Sequence, residues 1–221
     1  MNKTLSFVKL DFLALKPYRR SLFYLIGLGL VLGVAFQSIS TLSSMFMVGL
    51  LLVMTYPFAI AEKNSTDKLY ATLSLKRKNV VIGRYVFVML AVLAGMLIVL
   101  CESMLLSAFF RLDMAVNELL FTLCVLGFII SATVSIQYPL FFKLGYTKAK
   151  VFTYLPLILV AVLIGIMPML SKSLPDFDWN TFFTTLSHEP LLMYGAPIVV
   201  SLALLAISCV ISCGLYEKRD L

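Results

Sequence analysis

Long apolar runs separated by short polar segments make up most of the sequence. About 20 helical residues are needed to cross the hydrocarbon core of a bilayer, and six runs approach or exceed that length: residues 20–37, 42–60, 80–110, 119–142, 151–170 and 191–215. The third run is longer than a bilayer requires, so we expect its helix to tilt or to project from one face. The pattern predicts an all-α membrane protein, a single domain over residues 1–221 with six transmembrane helices.

A polar segment with helical periodicity precedes the first run. Its apolar residues are Leu5, Val8, Phe12 and Leu15. Charged residues, including Asp11, occupy the rest of the helical wheel, and Pro17 interrupts the helix. We expect residues 1–17 to form an amphipathic helix in the membrane interface, either as a general anchor or as an elbow helix that contacts a partner subunit.

A second interfacial element is predicted between the fifth and sixth runs. Asp178 can cap a helix, and Trp179, Phe182 and Phe183 follow at helical spacing. Because tryptophan is enriched at membrane–water interfaces, we expect a short extracellular helix there. Two interpretations stay open: the helix closes the outer end of the bundle, or its aromatic residues form an exit gate.

The basic residues lie almost entirely on one side of the predicted bundle. Five lie in residues 1–20, six in residues 61–84, three in residues 143–150 and two in the C-terminal tail, whereas only Arg111 and Lys172 of the 18 lie on the other side. Cytoplasmic loops carry an excess of Lys and Arg, so we expect both termini and both larger loops to be cytoplasmic. An even number of spans requires the same arrangement.

Composition narrows the class of protein further. The sequence is 61% hydrophobic and 13% charged, whereas soluble domains are about 25% charged. These values exclude a soluble enzyme and a nucleic-acid-binding domain. The net charge of +7 is explained by membrane insertion and contact with anionic headgroups, so membrane lipids are expected partners and nucleic acid is not.

Few residues could perform chemistry inside the membrane. Glu102 is the one acidic residue within a predicted span, in the outer half of the third, where it either lines a polar path or pairs with a hydroxyl group of a neighbouring helix. The four cysteines lie in apolar runs and are expected to pack as small hydrophobic residues. The one histidine, His188, has a single carboxylate neighbour in sequence, Glu189. We therefore expect no catalytic residue, no bound cofactor and no metal.

The most informative polar segment is the loop over residues 61–79. Ser65 or Thr66 can cap a short helix in which Leu69, Tyr70 and Leu73 form an apolar stripe. Such a helix on a basic loop is suited to a groove on another protein; the alternative is that it lies on the inner leaflet. No GxxxxGK[ST] motif occurs in the sequence, so any nucleotide is expected to bind another chain.

This loop resembles that of ABC-2-type transporter permeases, the small six-span subunits of exporters. In that family an acidic residue and a helix ending in Leu-x-Ser-Leu-Pro precede an arginine turn and a Gly-Lys/Arg-Tyr start to the third span. Asp67, the Leu73-Ser74-Leu75 element, Arg77 and the Gly83-Arg84-Tyr85 triplet match these features in order, with Lys76 in place of the usual proline. Together with the N-terminal helix and the layout of spans, the resemblance covers nearly the full length.

The resemblance implies a permease in the bacterial cytoplasmic membrane that is not itself an enzyme. A second permease copy would complete a homodimer, and a separate ABC ATP-binding subunit would bind ATP and Mg and dock on the loop as on a coupling helix. The coupling residues would be Asp67, Leu69, Tyr70, Leu73, Leu75 and Arg77. The small size resembles bacterial peptide exporters such as the phenol-soluble-modulin exporters, which implies an amphipathic cargo.

Two other functions fit the same composition. One is a membrane-embedded assembly or immunity component that transports nothing. The other is an ion-coupled carrier that uses Glu102.

Overall fold

The computed structural model describes residues 3–36, 39–64, 77–110, 116–154 and 191–218, together with the single positions 158, 162 and 166. Within these residues the chain is almost wholly helical and forms no strand. The prediction of an all-α protein is therefore confirmed.

The described helices follow the apolar runs, with polar residues at several of their ends. They are α1 Lys3–Ala14, α2 Arg19–Phe36, α3 Ile39–Lys63, α4 Arg77–Phe110, α5 Val116–Leu144, the short α6 Tyr146–Ala149 and α7 Ala196–Glu217. Turns of 3₁₀-helix occupy Lys16–Tyr18 and Lys150–Tyr154, and a π-helical turn, Leu191–Gly195, leads into α7. At 34 residues, α4 is about 51 Å long and exceeds the roughly 30 Å hydrocarbon core.

Helices long and apolar enough to cross a membrane confirm a multi-pass membrane protein. There are four among the described residues, or up to five if the pair Val8–Tyr18 and Phe23–Phe36, bent by 68°, is one span. The predicted span at 151–170 lies largely outside the described residues, and so does the predicted outer helix with Trp179, Phe182 and Phe183. The total of six spans stays a prediction.

Contacts between helices show how the helices run relative to one another. Tyr18, just before α2, stacks on Tyr56 of α3 with ring centroids 4.7 Å apart, so α2 starts where α3 finishes. Helices α5 and α7 run parallel, because the Ser208 hydroxyl donates to Ser135 O at 2.7 Å and the rings of Phe142 and Tyr216 lie 5.2 Å apart. The predicted span at 151–170 requires this parallel direction.

The starts of α2 and α4 and the ends of α3, α5 and α7 meet at one end of the bundle, which we call the basic end. The described Lys and Arg residues at this end include Lys16, Arg19, Arg20, Lys63, Arg77, Lys78, Arg84, Lys143, Lys148, Lys150 and Lys218. This grouping is the one that the count of basic residues along the sequence predicts.

Glycines allow α2, α3 and α4 to approach one another closely. A Cβ atom on Gly33 of α2 would lie 3.0 Å from Leu42, and one on Gly95 of α4 would lie 2.7 Å from Leu50. A Cβ atom on Gly49 of α3 would overlap the side chain of Leu25. Small residues at such contacts are typical of membrane helices, whose association depends on close van der Waals packing.

Gly145 separates α5 from α6. Its φ of 84° lies in the left-handed region that favours glycine, and its N–H donates to Phe141 O at 3.0 Å, which closes the last turn of α5. The chain therefore turns sharply at the basic end, and α6 begins immediately afterwards.

Helix α1 differs from its predicted orientation. Val8 and Leu15 are buried, as expected, but Phe12 is 43% exposed and packs in an edge-to-face contact with Phe87, with ring centroids 5.0 Å apart. The expectation that Asp11 lies on the polar side is wrong: it is 8% exposed. Asp11 is buried beside the positive charge of Arg84, which offsets part of the cost of removing a carboxylate from water.

Candidate functional site

The basic end is organised around one buried arginine. Arg84 lies two turns into α4, is 4% exposed, and places its guanidinium carbon 4.0 Å from the ring centroid of Phe58 and 5.6 Å from that of Phe142. Cation–π contacts of this kind are strongest when water is excluded. With Asp11 nearby, Arg84 joins α1, α3 and α5 to α4.

The expectation that Arg84 is one of the basic residues of a cytoplasmic loop is wrong, because the side chain is buried. Aromatic rings and a carboxylate take the place of water around the guanidinium, so the side chain belongs to the interior. The signal in the sequence was the Gly83-Arg84-Tyr85 triplet, which marks the position but not its burial.

An aromatic cluster surrounds this arginine. The ring centroid of Phe58 lies 4.7 Å from that of Tyr138 and 5.1 Å from that of Phe141. Tyr138 also donates its hydroxyl to Met54 O at 3.0 Å, in the turn of α3 that Pro57 interrupts. The cluster therefore holds α3 and α5 together where the ladder of α3 hydrogen bonds is weakened.

A set of hydrogen bonds joins α4 to α7. The Tyr85 hydroxyl lies 2.6 Å from Ser208 Oγ and 2.8 Å from Ser212 Oγ. Because Ser208 donates its hydroxyl hydrogen to Ser135 O, Tyr85 must donate to Ser208, and Ser212 must donate to Tyr85. Such interhelical hydrogen bonds stabilise helix pairs in a membrane.

The stem of α4 is attached to the end of α7 by a contact that we call the α4–α7 latch. Arg77 Nη1 donates to Tyr216 O at 3.1 Å and to Glu217 O at 2.9 Å, and Lys78 Nζ lies 3.5 Å from a Glu217 carboxylate oxygen. The last carbonyl groups of a helix lack intrahelical partners and attract cations. The latch therefore satisfies the end of α7 with the first residues of α4.

The other stem of the predicted coupling loop is also attached. Glu62, near the end of α3, accepts a hydrogen bond from the Thr147 backbone N–H at 3.1 Å. Because Thr147 lies in α6, this contact connects the end of α3 to the turn after α5. Both stems of the loop are thus joined to a neighbouring helix of the basic end.

The predicted coupling residues fall into two groups. Asp67, Leu69, Tyr70, Leu73 and Leu75 lie outside the described residues. Arg77 is described, half-buried, and engaged with α7. Its position makes it a link between the loop and the bundle.

Glu102 lies on the opposite half of α4. It is 3% exposed, and neither carboxylate oxygen has a hydrogen-bond partner among the described residues. A Cβ atom on Gly29 of α2 would lie 4.0 Å from Oε2. The predicted pairing with a hydroxyl group is therefore not found in the described part of the chain, and the side chain faces α2 inside the bundle.

An apolar cavity of about 340 Å³, open to the surface on one side, lies on the other side of α4, between α4, α5 and α7. Its wall is almost entirely apolar, with residues such as Met89, Met96, Leu123, Phe128, Leu202 and Leu205. The two serine hydroxyls in the wall donate to carbonyls of their own helices, Ser131 to Gly127 O and Ser201 to Pro197 O. The cavity suits an apolar group rather than a polar one.

Comparison with known proteins agrees with this architecture. A family model described as "ABC-2 family transporter protein" matches residues 6–217. No curated protein matches the chain, and no solved structure matches it.

Proposed function

The chain belongs to the ABC-2 family of transporter membrane proteins, and from that premise we propose that it is the transmembrane subunit of an ATP-driven exporter. Permeases of this family normally work with an ABC ATP-binding subunit. That subunit would bind ATP and Mg and dock on the loop between α3 and α4. A second copy of the chain would complete the membrane part in a bacterial cytoplasmic membrane, with the basic end and both termini in the cytoplasm.

The attachment of both loop stems is the observation that carries this proposal. A displacement of the loop would move α7 through Arg77 and α6 through Glu62, because each of these residues is hydrogen-bonded to a backbone group of that helix. A loop attached in this way transmits motion of a docked subunit to several spans at once. A loop that only rested on the lipid surface would need no such attachment.

The cargo is proposed to be an amphipathic peptide or another hydrophobic molecule that leaves the cell. The apolar cavity between α4, α5 and α7 supports a cargo with apolar groups. Methionine and phenylalanine side chains in its wall offer adaptable contacts with little specificity.

The proposal is tested by purifying the chain with the ATP-binding subunit encoded beside it. We expect Leu69→Glu and Leu73→Glu to abolish the permease-dependent part of ATP hydrolysis, because a charge on the apolar stripe opposes docking. Val151→Glu is the matched control, since Val151 is an apolar residue at the basic end and 69% exposed. Full ATP hydrolysis by an intact complex with either loop variant would contradict the coupling role.

An ion-coupled carrier is the second candidate, and the buried carboxylate of Glu102 favours it. It predicts cargo transport into vesicles that continues without ATP and stops in the Glu102→Gln variant. A component that transports nothing predicts ATP hydrolysis by reconstituted vesicles with no movement of peptide or lipid.

A further inference from the structure

Glu102 has no role in the coupling scheme, yet its burial is costly. A carboxylate that is 3% exposed and lacks any hydrogen-bond partner among the described residues is strongly unfavourable inside a membrane. Ionisable residues inside a membrane are rare and mark functional sites. The residues around this carboxylate indicate which kind of group it would bind.

Helix α4 itself, and α2 and α3, which both pack against it, offer no cation at this level. On α4 the nearest basic residue toward the basic end is Arg84, 18 residues away and therefore about 27 Å along the helix, and none follows before Phe110. Residues 21–36 of α2 and 39–62 of α3 contain no Lys, Arg or His.

The surroundings favour an organic cation over a metal ion. Among the described residues no group of three or more His, Cys, Asp or Glu side chains could hold a metal. Val99 and Leu106, one turn to either side on the same face of α4, are buried apolar residues, and the facing residue of α2 is glycine. One carboxylate between apolar walls matches a single ammonium or guanidinium group on an apolar stem.

We propose that Glu102 is the binding site for the cationic group of an amphipathic cargo, and that cargo reaches it when α2 moves away from the contact at Gly29. This proposal rests on the proposed export function and specifies its cargo: a molecule with an apolar part and an ammonium or guanidinium group. Gly29 is the α2 residue that faces the carboxylate: a Cβ atom there would already be in van der Waals contact with Oε2, so a bulky side chain would compete with the cationic group.

The test measures binding of two probes to the purified chain in lipid nanodiscs, with empty nanodiscs as background. The probes are radiolabelled dodecylammonium and N-dodecylacetamide, which has the same chain without the charge. We expect Glu102→Gln to weaken dodecylammonium binding by about ten- to a hundredfold, the equivalent of one hydrogen bond to a charged group. Binding of N-dodecylacetamide should not change.

Two glycines of α2 supply a matched pair of variants that separates the site from general damage to the fold. Gly29→Leu places a bulky side chain against the carboxylate and should weaken dodecylammonium binding, whereas Gly27→Leu should not, because a Cβ atom on Gly27 meets nothing within 4 Å. Unchanged dodecylammonium binding by Glu102→Gln, or an equal loss for both probes, would overturn the proposal. Failure of the export function is distinguishable, because it would appear as missing ATP-driven transport by the wild type and leaves the binding measurement valid.

Discussion

Release of the α4–α7 latch should free the end of α7. In the wild type, Arg77 Nη1 lies 3.1 Å from Tyr216 O and 2.9 Å from Glu217 O. In the Arg77→Gln variant, these two carbonyl groups lose that charged donor. Hydrogen bonds to charged groups contribute about 1.5–3 kcal/mol each. Because one nitrogen serves both carbonyls and the site is only half-buried, we expect a loss of about 2 kcal/mol in the free energy of opening the last turn of α7.

The adjacent lysine is the control. Lys78 forms its ion pair with Glu217 across 3.5 Å with both side chains largely in solvent, 62% and 47% exposed, and such pairs contribute about 0–1 kcal/mol. Lys78→Gln removes the same charge from the next residue of α4 but leaves the bonds to the carbonyls. Its effect on α7 should therefore be several times smaller in free energy.

Hydrogen–deuterium exchange of the protein in nanodiscs, followed by mass spectrometry, measures the difference. A loss of about 2 kcal/mol corresponds to roughly thirtyfold faster exchange of the amides in the last turn of α7, against at most about fivefold for Lys78→Gln. In the complex with the ATP-binding subunit, Arg77→Gln should also weaken the link between ATP hydrolysis and transport. Equal exchange in the two variants, or no change in α7, would refute the latch.

Three further outcomes concern packing between helices. Arg84→Met leaves Asp11 buried without its neighbouring cation and should lower the free energy of unfolding, measured in mixed detergent micelles, by about 3–5 kcal/mol. Adding Asp11→Asn should restore at least half of the lost stability. A smaller recovery would contradict the argument that the two charges stabilise each other. In Gly49→Ala the new methyl group meets a neighbouring side chain, so the free energy of unfolding, measured by heating, should fall by about 1–3 kcal/mol. Gly27→Ala is the control, because its methyl group faces open space. Similar losses of stability in both variants would contradict the close packing at Gly49. Tyr85→Phe removes both hydroxyl contacts with α7 and should cost about 1–2 kcal/mol in the same measurement; unchanged stability would show that those bonds contribute nothing.

The lengths of the apolar runs were enough to predict most of the described helices. The predicted run 42–60 corresponds to α3 Ile39–Lys63, and 80–110 corresponds to α4 Arg77–Phe110. The reason is physical: hydrocarbon supplies no partner for backbone N–H and C=O groups, so an apolar run that crosses it must satisfy them internally as a helix. The ends extend beyond the apolar runs because polar residues at the surface continue the same ladder of hydrogen bonds.

The grouping of basic residues could also be predicted from the sequence, because the excess of Lys and Arg in cytoplasmic loops depends only on how many of them each loop contains. The interior role of one of them could not. Arg84 and Asp11 look like surface charges in a linear pattern, and their burial depends on two phenylalanines, 26 residues before and 58 residues after Arg84 in the sequence.

Tertiary structure alone decided which helix ends are joined. Arg77 and Glu217 are 140 residues apart, and Glu62 and Thr147 are 85 apart, so no local periodicity pairs them. The same holds for the face of α4 that carries Glu102 toward Gly29 and the opposite face that lines the apolar cavity. Apolar composition determines that a helix enters the membrane. It does not determine which helices become neighbours, because lipid and the protein interior are equally apolar. That choice depends on specific contacts between helices, made by small residues, aromatic rings and the carbonyl groups at helix ends.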